Sequence, residues 1–245
     1  MNLQDKVFLV TGGAHRVGKA IALALAAQGA KLAITYNASA ELAQKTCLEI
    51  EALGTLALAL RCDQSDFSQI QGAVEAVTQY FGRLDGLVNS ASIMQEVSNF
   101  LDVTPADWDL TMNVNARGPF FFTQAAARWM LAHDGGVVVN IIDDSAVNPG
   151  AALMQHGASK TALWMITRSS ALALAPSIRV NAVLPGAVLK PPAWSEERWQ
   201  NIAPSVPLKR LGAAEDVARA VVYLIKEDYI TGQVIIVDGG SSLRG

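Results

Sequence analysis

The stretch KVFLVTGGAHRVGKAIALALA, residues 6–26, joins a short apolar run to a helical pattern through a glycine-rich turn. The apolar run of residues 6–12 is typical of a buried strand, and the period that follows the turn predicts a helix. Gly12 and Gly18 allow a tight turn and close packing of the helix on the strand. Since free N–H groups at a helix N-terminus bind anions, the turn is predicted to bind a phosphate. His15, within the turn, either contacts that phosphate or faces water.

Six further apolar runs, rich in β-branched residues, alternate with longer segments of helical period. In chain order they are AKLAITY, LALALRC, GLVNSA, GVVVNII, IRVNAVLPG and GQVIIVDGG. Strands that are apolar on both faces require helices on both faces, and right-handed crossovers place such strands in one parallel sheet. The sequence therefore predicts an α/β fold in which a doubly wound parallel sheet of the Rossmann type spans residues 1–245 as a single domain.

The overall composition favours a small-molecule partner. The 245 residues are 51% hydrophobic and have a formal net charge of −3, which gives no broad positive field for nucleic acid or an anionic membrane. Only four apolar residues follow Lys6 in succession, too few for a signal peptide or a membrane span, so we expect a cytoplasmic protein. Cys47 and Cys62 lack the spacing of a metal site, and we expect both to pack in the core.

The end of the second predicted strand indicates which dinucleotide binds. The segment ITYNAS, residues 34–39, contains no acidic residue of the kind that hydrogen-bonds the ribose of NAD. The hydroxyl of Ser39 and the guanidinium of Arg16 can receive a 2′-phosphate, and Tyr36 and Asn37 are assigned to the same pocket. The pattern favours NADP(H) over NAD.

The segment AVLKPPAWSEERWQNIA, residues 187–203, is the one irregular stretch between the predicted strands. Its prolines and two tryptophans, Trp194 and Trp199, predict a partly apolar flap outside the carboxyl edge of the sheet, where ligands of such folds bind. An ordinary packed surface helix is the alternative that the sequence leaves open. We refer to residues 187–203 as the flap.

Several motifs in a fixed order resemble the short-chain dehydrogenase/reductase family over essentially the whole chain. The phosphate turn resembles the family's TGxxxGxG, the segment NSAS at residues 89–92 resembles its NNAG, and HGASKTAL resembles its YxxSKxAL helix. Asp63 is similar to the family's adenine-contacting aspartate, and Pro185-Gly186 to its turn near the nicotinamide. The turn chemistry and the resemblance together imply these cofactor-binding residues: Gly12, His15, Arg16, Val17, Gly18, Tyr36, Asn37, Ser39, Asp63, Asn89, Ala91, Lys160, Pro185 and Gly186.

Within that family, the chain most resembles the pteridine reductases. Arg16 stands where most members have the central glycine of the turn, Asp143 where most have the catalytic serine, and Ser92 replaces the last glycine of NNAG. The flap sequence PPAW at residues 191–194 is also similar. Met94, however, occupies a position where those reductases often present a phenylalanine that stacks on the pterin ring.

The largest departure from the family pattern concerns the proton donor. The family's tyrosine lies four residues before its lysine, on the same helix face, and here His156 stands four residues before Lys160. The serine position lies thirteen residues before the tyrosine and three after Asn140, and both counts select Asp143. With Asn115 of NVNARGPFF as the family's asparagine, the resemblance implies the catalytic set Asn115, Asp143, His156 and Lys160, with histidine in place of tyrosine.

Two functions follow from this set. In the first, the chain is an NADPH-dependent reductase of a small C=O or C=N substrate, with a pteridine as one candidate, because an imidazole can donate a proton to a developing alkoxide or amine. In the second, the chain is an NADP-binding sensor or partner subunit that has lost catalysis, since imidazole reaches less far than phenol. The resemblance also implies a homo-oligomer, a tetramer, built on the helices that contain NVNARGPFF and HGASKTALWMITRSSALALA.

Overall fold

The computed structural model describes residues 1–97, 99–191 and 194–243. Within these ranges a single sheet contains seven parallel strands in the order β3-β2-β1-β4-β5-β6-β7. The strands are β1 (Val7–Thr11), β2 (Lys31–Tyr36), β3 (Ala57–Arg61), β4 (Gly86–Asn89), β5 (Gly136–Ile141), β6 (Ile178–Pro185) and β7 (Val234–Val237). Each forms within one of the predicted apolar runs, and the doubly wound parallel sheet is confirmed. Pro192 and Ala193, which were compared with pteridine reductases, lie outside the described residues.

Helices cover both faces of the sheet, as predicted. They are α1 (Arg16–Ala26), α2 (Ala40–Glu51), α3 (Phe67–Phe81), α4 (Pro105–Met112), α5 (Gly118–Leu131), α6 (Met154–Leu174), α7 (Glu196–Gln200) and α8 (Ala214–Lys226). One core, on the face of α1, α2 and α8, contains Phe8 and Val10 of β1. The opposite core, which includes residues of α3, α5 and α6, contains Val7 and Leu9. Successive side chains of β1 therefore point to opposite faces of the sheet, as the alternation of a β-strand requires.

The strand order reverses between β1 and β4. Strands β2 and β3 lie beyond β1 on one side of the sheet, and β5, β6 and β7 lie beyond β4 on the other. In open α/β sheets, ligands bind in the crevice beyond the carboxyl ends of the strands at such a point. Thr11, the last residue of β1, accepts hydrogen bonds through Oγ1 from the backbone N–H groups of Ser90 (3.0 Å) and Ala91 (3.1 Å). These bonds join the loops after the two strands and shape the crevice.

A short π-helical turn, Asn113–Arg117, connects α4 to α5. Such turns are rare and occur frequently at functional sites. Among the residues described, no helix is both long enough and apolar enough to cross a membrane. Cys47 and Cys62 are buried, and burial raises the pKa of their thiols to about 11 and about 12, which agrees with their predicted role in packing.

Candidate active site

Two glycines of the phosphate turn leave no side chain where a cofactor would approach the backbone. Gly12 has a φ of +65°, and a Cβ there would lie 2.9 Å from the Cα of Ala91. A Cβ at Gly18 would collide with the carbonyl oxygen of Gly12. His15 is the exposed N-cap of α1, and its side chain makes no capping hydrogen bond. Glycines at these two positions leave room at the start of the helix for a pyrophosphate, whose oxygens can meet the free N–H groups of that helix.

Arg16 has a φ of +55°, in the left-handed region that favours glycine. This agrees with its sequence position, where most members of the resembled family have glycine. Its exposed guanidinium donates through Nη1 to the carbonyl oxygen of Lys190 at 3.2 Å. Arg16 therefore links the phosphate turn to the flap.

The residues assigned to the adenosine half of the cofactor lie at the ends of β2 and β3. Tyr36 ends β2, Asn37 is exposed, and Ser39 is the N-cap of α2 with a hydroxyl that makes no capping bond. Oδ1 of Asp63 accepts from the N–H (2.9 Å) and the hydroxyl (2.7 Å) of Ser65, which fixes the loop after β3. These positions share the edge of the sheet where the phosphate turn lies, as expected for neighbouring parallel strands.

Buried amide side chains join the ends of β4 and β5. Nδ2 of Asn89 donates to Oδ1 of Asn140 at 2.8 Å and to Oγ1 of Thr123 on α5 at 3.2 Å. Asn140 donates in turn to Oγ1 of Thr167 on α6 at 2.8 Å. Since buried polar groups are costly without partners, this network fixes α5 and α6 relative to the strands. It positions the helix that provides the central residues of the site.

Asn115 lies in the π-helical turn and binds both backbone groups of Ile93. Its Oδ1 accepts from the N–H of Ile93 at 2.9 Å, and its Nδ2 donates to the carbonyl oxygen of Ile93 at 2.8 Å. The same Nδ2 donates to Oγ of Ser159 on α6 at 3.1 Å. Both hydrogens of the amide are therefore in use.

The imidazole of His156 lies between a carbonyl and a carboxylate. Nδ1 is 3.0 Å from the carbonyl oxygen of Ile93 and 3.3 Å from Nδ2 of Asn115. Because the carbonyl can only accept and the amide hydrogens have other partners, we assign a proton to Nδ1, donated to Ile93. Nε2 then faces Oδ1 of Asp143 at 3.6 Å. The histidine side chain is 3% exposed and that of Asp143 is 35% exposed, so the carboxylate is the side of the pair open to solvent.

Asp143 is ionised at neutral pH. Burial alone would raise its pKa, but the His156 imidazole and the backbone N–H of Ser145, at 2.9 Å, hold that pKa well below its ordinary value. The carboxylate can accept a hydrogen bond from a proton on Nε2. The pair can therefore hold a proton at Nε2.

Lys160 lies one helical turn beyond His156 on α6 and is 3% exposed. Its Nζ donates to the carbonyl oxygen of Ile141, at the end of β5, at 3.0 Å. Burial lowers the pKa of Lys160 to about 8, against the opposing charge of Asp143. The structure thus brings together all four residues of the catalytic set predicted from the sequence.

The turn after β6 also lies at this edge. The N–H of Gly186 donates to the carbonyl oxygen of Val237 at 3.0 Å, and a Cβ at Gly186 would lie 2.7 Å from the Cβ of Asp238. This close approach requires glycine after Pro185. The flap begins directly beyond this turn, contains α7, and buries Trp199.

Two participants were missed by sequence reasoning. Ile93 acts through its backbone carbonyl, which no side-chain pattern reveals. Ser159, which accepts from Asn115 and donates to the carbonyl oxygen of His156 at 2.6 Å, stands directly before Lys160 in HGASK, and that position was the available signal. Among the described residues, no group of histidine, cysteine, aspartate and glutamate side chains could hold a metal ion.

Comparison with known proteins places this geometry in a family. A family model described as Enoyl-(Acyl carrier protein) reductase matches residues 12–242. L-rhamnose 1-dehydrogenase (NAD(P)(+)) of Sphingomonas sp. (strain SKA58) is 36% identical over 246 residues, covering 97% of this chain and 96% of that protein. The 3-oxoacyl-[acyl-carrier-protein] reductase FabG of Staphylococcus aureus (strain Mu50 / ATCC 700699) is 34% identical over 242 residues, covering 96% and 97%.

Solved structures agree over the same length. A short chain dehydrogenase from Burkholderia cenocepacia J2315 in complex with NADP is 38% identical, with a TM-score of 0.91 and coverage of 98% of this chain and 99% of that one. A blue fluorescent protein from a metagenomic library in complex with NADPH is 37% identical, with the same TM-score and coverage. With a family model over nearly the whole chain and relatives this similar in sequence and fold, the chain belongs to the short-chain dehydrogenase/reductase family.

Proposed function

We propose that this chain is an NADP(H)-dependent oxidoreductase that reduces a small C=O or C=N substrate. Two solved relatives of the family hold NADP or NADPH. The observation that carries the proposal is the position of His156, held between the Ile93 carbonyl and the Asp143 carboxylate, one helical turn from Lys160. These groups lie at the carboxyl ends of the strands, where the phosphate turn also lies.

The cofactor supplies hydride when it is bound. Its phosphates would meet the bare turn, its 2′-phosphate the Ser39 hydroxyl and Arg16, and its adenine Asp63. Lys160 would hold the nicotinamide ribose. The remaining assigned residues, which would contact other parts of the cofactor, are His15, Val17, Tyr36, Asn37, Asn89, Ala91, Pro185 and Gly186.

The chain's own contribution to the reaction is the proton. His156 takes the place that tyrosine has in most of the family, with Nδ1–H fixed on Ile93 and the transferable proton on Nε2. Asp143 stabilises that proton on the ring, and Asn115 fixes the ring by holding Ile93. Nε2 would give its proton to the developing alkoxide or amine of the substrate, and solvent beside the partly exposed Asp143 would restore it.

The finer substrate assignment remains a prediction. The likeness to pteridine reductases rests on Arg16, Ser92 and Asp143, whereas the two curated relatives described above are named for rhamnose and for 3-oxoacyl substrates. We therefore propose small carbonyls and imines as the class, with pteridines as one member to be tested.

The assembly is proposed from exposed apolar surface on the two helices named above. Met165 and Leu172 of α6 are 57% and 85% exposed, and Phe120 of α5 is 41% exposed. A cytoplasmic homotetramer that covers these side chains would remove them from water. Light scattering that shows only a monomer at micromolar concentration contradicts this part of the proposal.

The test is NADPH oxidation across pH on a panel of carbonyls, imines and pterins, for the parent protein and His156→Gln. His133→Gln, which changes an exposed histidine at the end of α5, is the matched control. We expect turnover in the parent and in the control and its loss in His156→Gln. A parent that binds NADPH but turns over nothing on the panel favours the second function, an NADP-binding sensor or partner subunit.

A further inference from the structure

Three side chains, which we call the latch, join the flap to the loop that follows β4: Glu96, Trp194 and Arg198. Nε1 of Trp194 donates to Oε1 of Glu96 at 2.7 Å, a short bond to a charged acceptor. The guanidinium carbon of Arg198 lies 3.5 Å from the centre of a Trp194 ring, and its Nη1 lies 4.0 Å from Oε2 of Glu96. One carboxylate thus receives both flap side chains, and these two also contact each other.

Glu96 belongs to a segment without regular secondary structure, residues 93–97, that we call the strap. The side chain of Gln155, at the start of α6, donates to the carbonyl oxygen of Gln95 at 3.2 Å. The N–H of Val97 donates to the carbonyl oxygen of Ala152 at 3.0 Å. The strap therefore lies between the flap on one side and the start of α6 on the other.

The first residue of the strap is Ile93, whose carbonyl accepts Nδ1–H of His156 at 3.0 Å. That bond decides which ring nitrogen faces Asp143. Glu96 is three residues away along the chain, so the strap backbone connects its flap contacts to the carbonyl that orients the ring, which Asn115 also holds. The exposed Met94 lies between them and would shift with the strap.

We propose that Glu96 is a positioning residue: by fastening Trp194 and Arg198 of the flap, it fixes the strap so that Ile93 holds His156 in its reactive orientation. The contacts of Glu96 with Trp194 and Arg198 are then coupled to the orientation of His156. The kinetic consequence rests on the proposed function, whereas the structural coupling does not.

The expected effects are moderate because the latch is partly exposed. Charge pairs and cation–π contacts of this kind are worth about threefold to tenfold in an equilibrium constant.

Glu96→Ala removes the two contacts that the Glu96 carboxylate makes with Trp194 and Arg198. Trp194→Phe removes the N–H donor and keeps an aromatic ring for Arg198. Glu96→Gln keeps an oxygen acceptor for Trp194 without the charge, so it should recover part of the effect. Glu197→Gln makes the same chemical change outside the latch, on the helix α7 that carries Arg198, and is the matched control.

Two readouts avoid turnover altogether. Hydrogen exchange of peptides from the strap and the flap reports local opening. The chain has three histidines, so nitrogen-15 spectra of the imidazoles separate His156 from His15 and His133 and report its tautomer. The kcat for any substrate found by the panel is a third readout, with the Kd for NADPH as a check that the phosphate turn is unaffected.

We expect Glu96→Ala and Trp194→Phe to speed exchange about threefold to tenfold in both the strap and the flap, and to change the His156 signals. Glu96→Gln should lie between them and the parent, and Glu197→Gln should match the parent. Faster exchange in the flap with unchanged His156 signals, or unchanged exchange everywhere, overturns the proposal. If the His156 signals respond while the parent turns over no substrate, the coupling stands and the proposed function fails.

Discussion

Nε2 of His156 faces Oδ1 of Asp143 at 3.6 Å, so in the proposed reaction the two side chains would act on the same proton. Since Asp143 stabilises the proton that His156 would give up, the two residues should not contribute independently. We expect His156→Gln to lower kcat by about a hundredfold and Asp143→Asn by about tenfold. The double variant should be no slower than His156→Gln alone. Fully additive losses in steady-state rates would show that the two side chains act separately.

Replacing His156 with tyrosine restores a phenol one helical turn from Lys160, whose positive charge favours the phenolate. We expect reduction on the carbonyl and pterin panel to rise in His156→Tyr, with little change in the Kd for NADPH. The Asp143 carboxylate beside the new phenol opposes its ionisation, so adding Asp143→Ser should raise the rate further. A fall in rate with His156→Tyr on every substrate that the parent reduces would identify histidine as the adapted donor.

Ser39 provides a test of cofactor choice. The parent should bind NADPH more tightly than NADH, because no acidic residue lies in the segment 34–39. Ser39→Asp keeps a good N-cap for α2 but places a negative charge where the 2′-phosphate would lie. Fluorescence titration should show NADPH binding weakened about tenfold or more, with NADH little affected. Ser39→Ala is the uncharged control, and equal weakening of both cofactors by Ser39→Asp would contradict the assignment.

Lys160 should make stability depend on pH. Burial lowers its pKa from 10.5 to about 8 in the folded protein, so between these pH values the unfolded chain binds the proton more strongly. Stability attributable to this group therefore rises with pH across that window and is lowest below it. Relative to Lys160→Met, the parent should gain up to about 3 kcal/mol between pH 8 and 10.5 in denaturant unfolding. Lys45→Met, at an exposed lysine of α2, is the control, and a difference independent of pH would refute the prediction.

The parts of this molecule that could be predicted are those marked by a repeating hydrophobic pattern or by a fixed spacing between motif residues. Burial on both faces made each strand an apolar run, and GVVVNII contains β5 almost to the residue. Asp143 could be located three residues after Asn140, and His156 four residues before Lys160. Both counts are reliable because Asn140 lies in strand β5 and Lys160 in helix α6. Local periodicity and motif spacing were sufficient there.

Other features have no such signal. The hydrogen bonds of the π-helical turn at Asn115 span one residue more than those of an α-helix, which the apolar pattern does not register. The contact between Glu96 and Trp194 joins side chains 98 positions apart in two irregular segments. Ile93 contributes only a carbonyl. Each depends on tertiary packing of loops, and the sequence alone could not supply their geometry.

The left-handed backbone conformation of Arg16 also has a consequence for redesign of this sequence. A non-glycine residue in that conformation costs on the order of 1 kcal/mol, so optimising thermal stability alone at this site would select glycine. An engineered version made by choosing the commonest family residue at every position would therefore gain stability here. It would also lose the hydrogen bond from Arg16 to Lys190, and with it the tie between the phosphate turn and the flap. Consensus redesign of this protein should leave residue 16 unchanged.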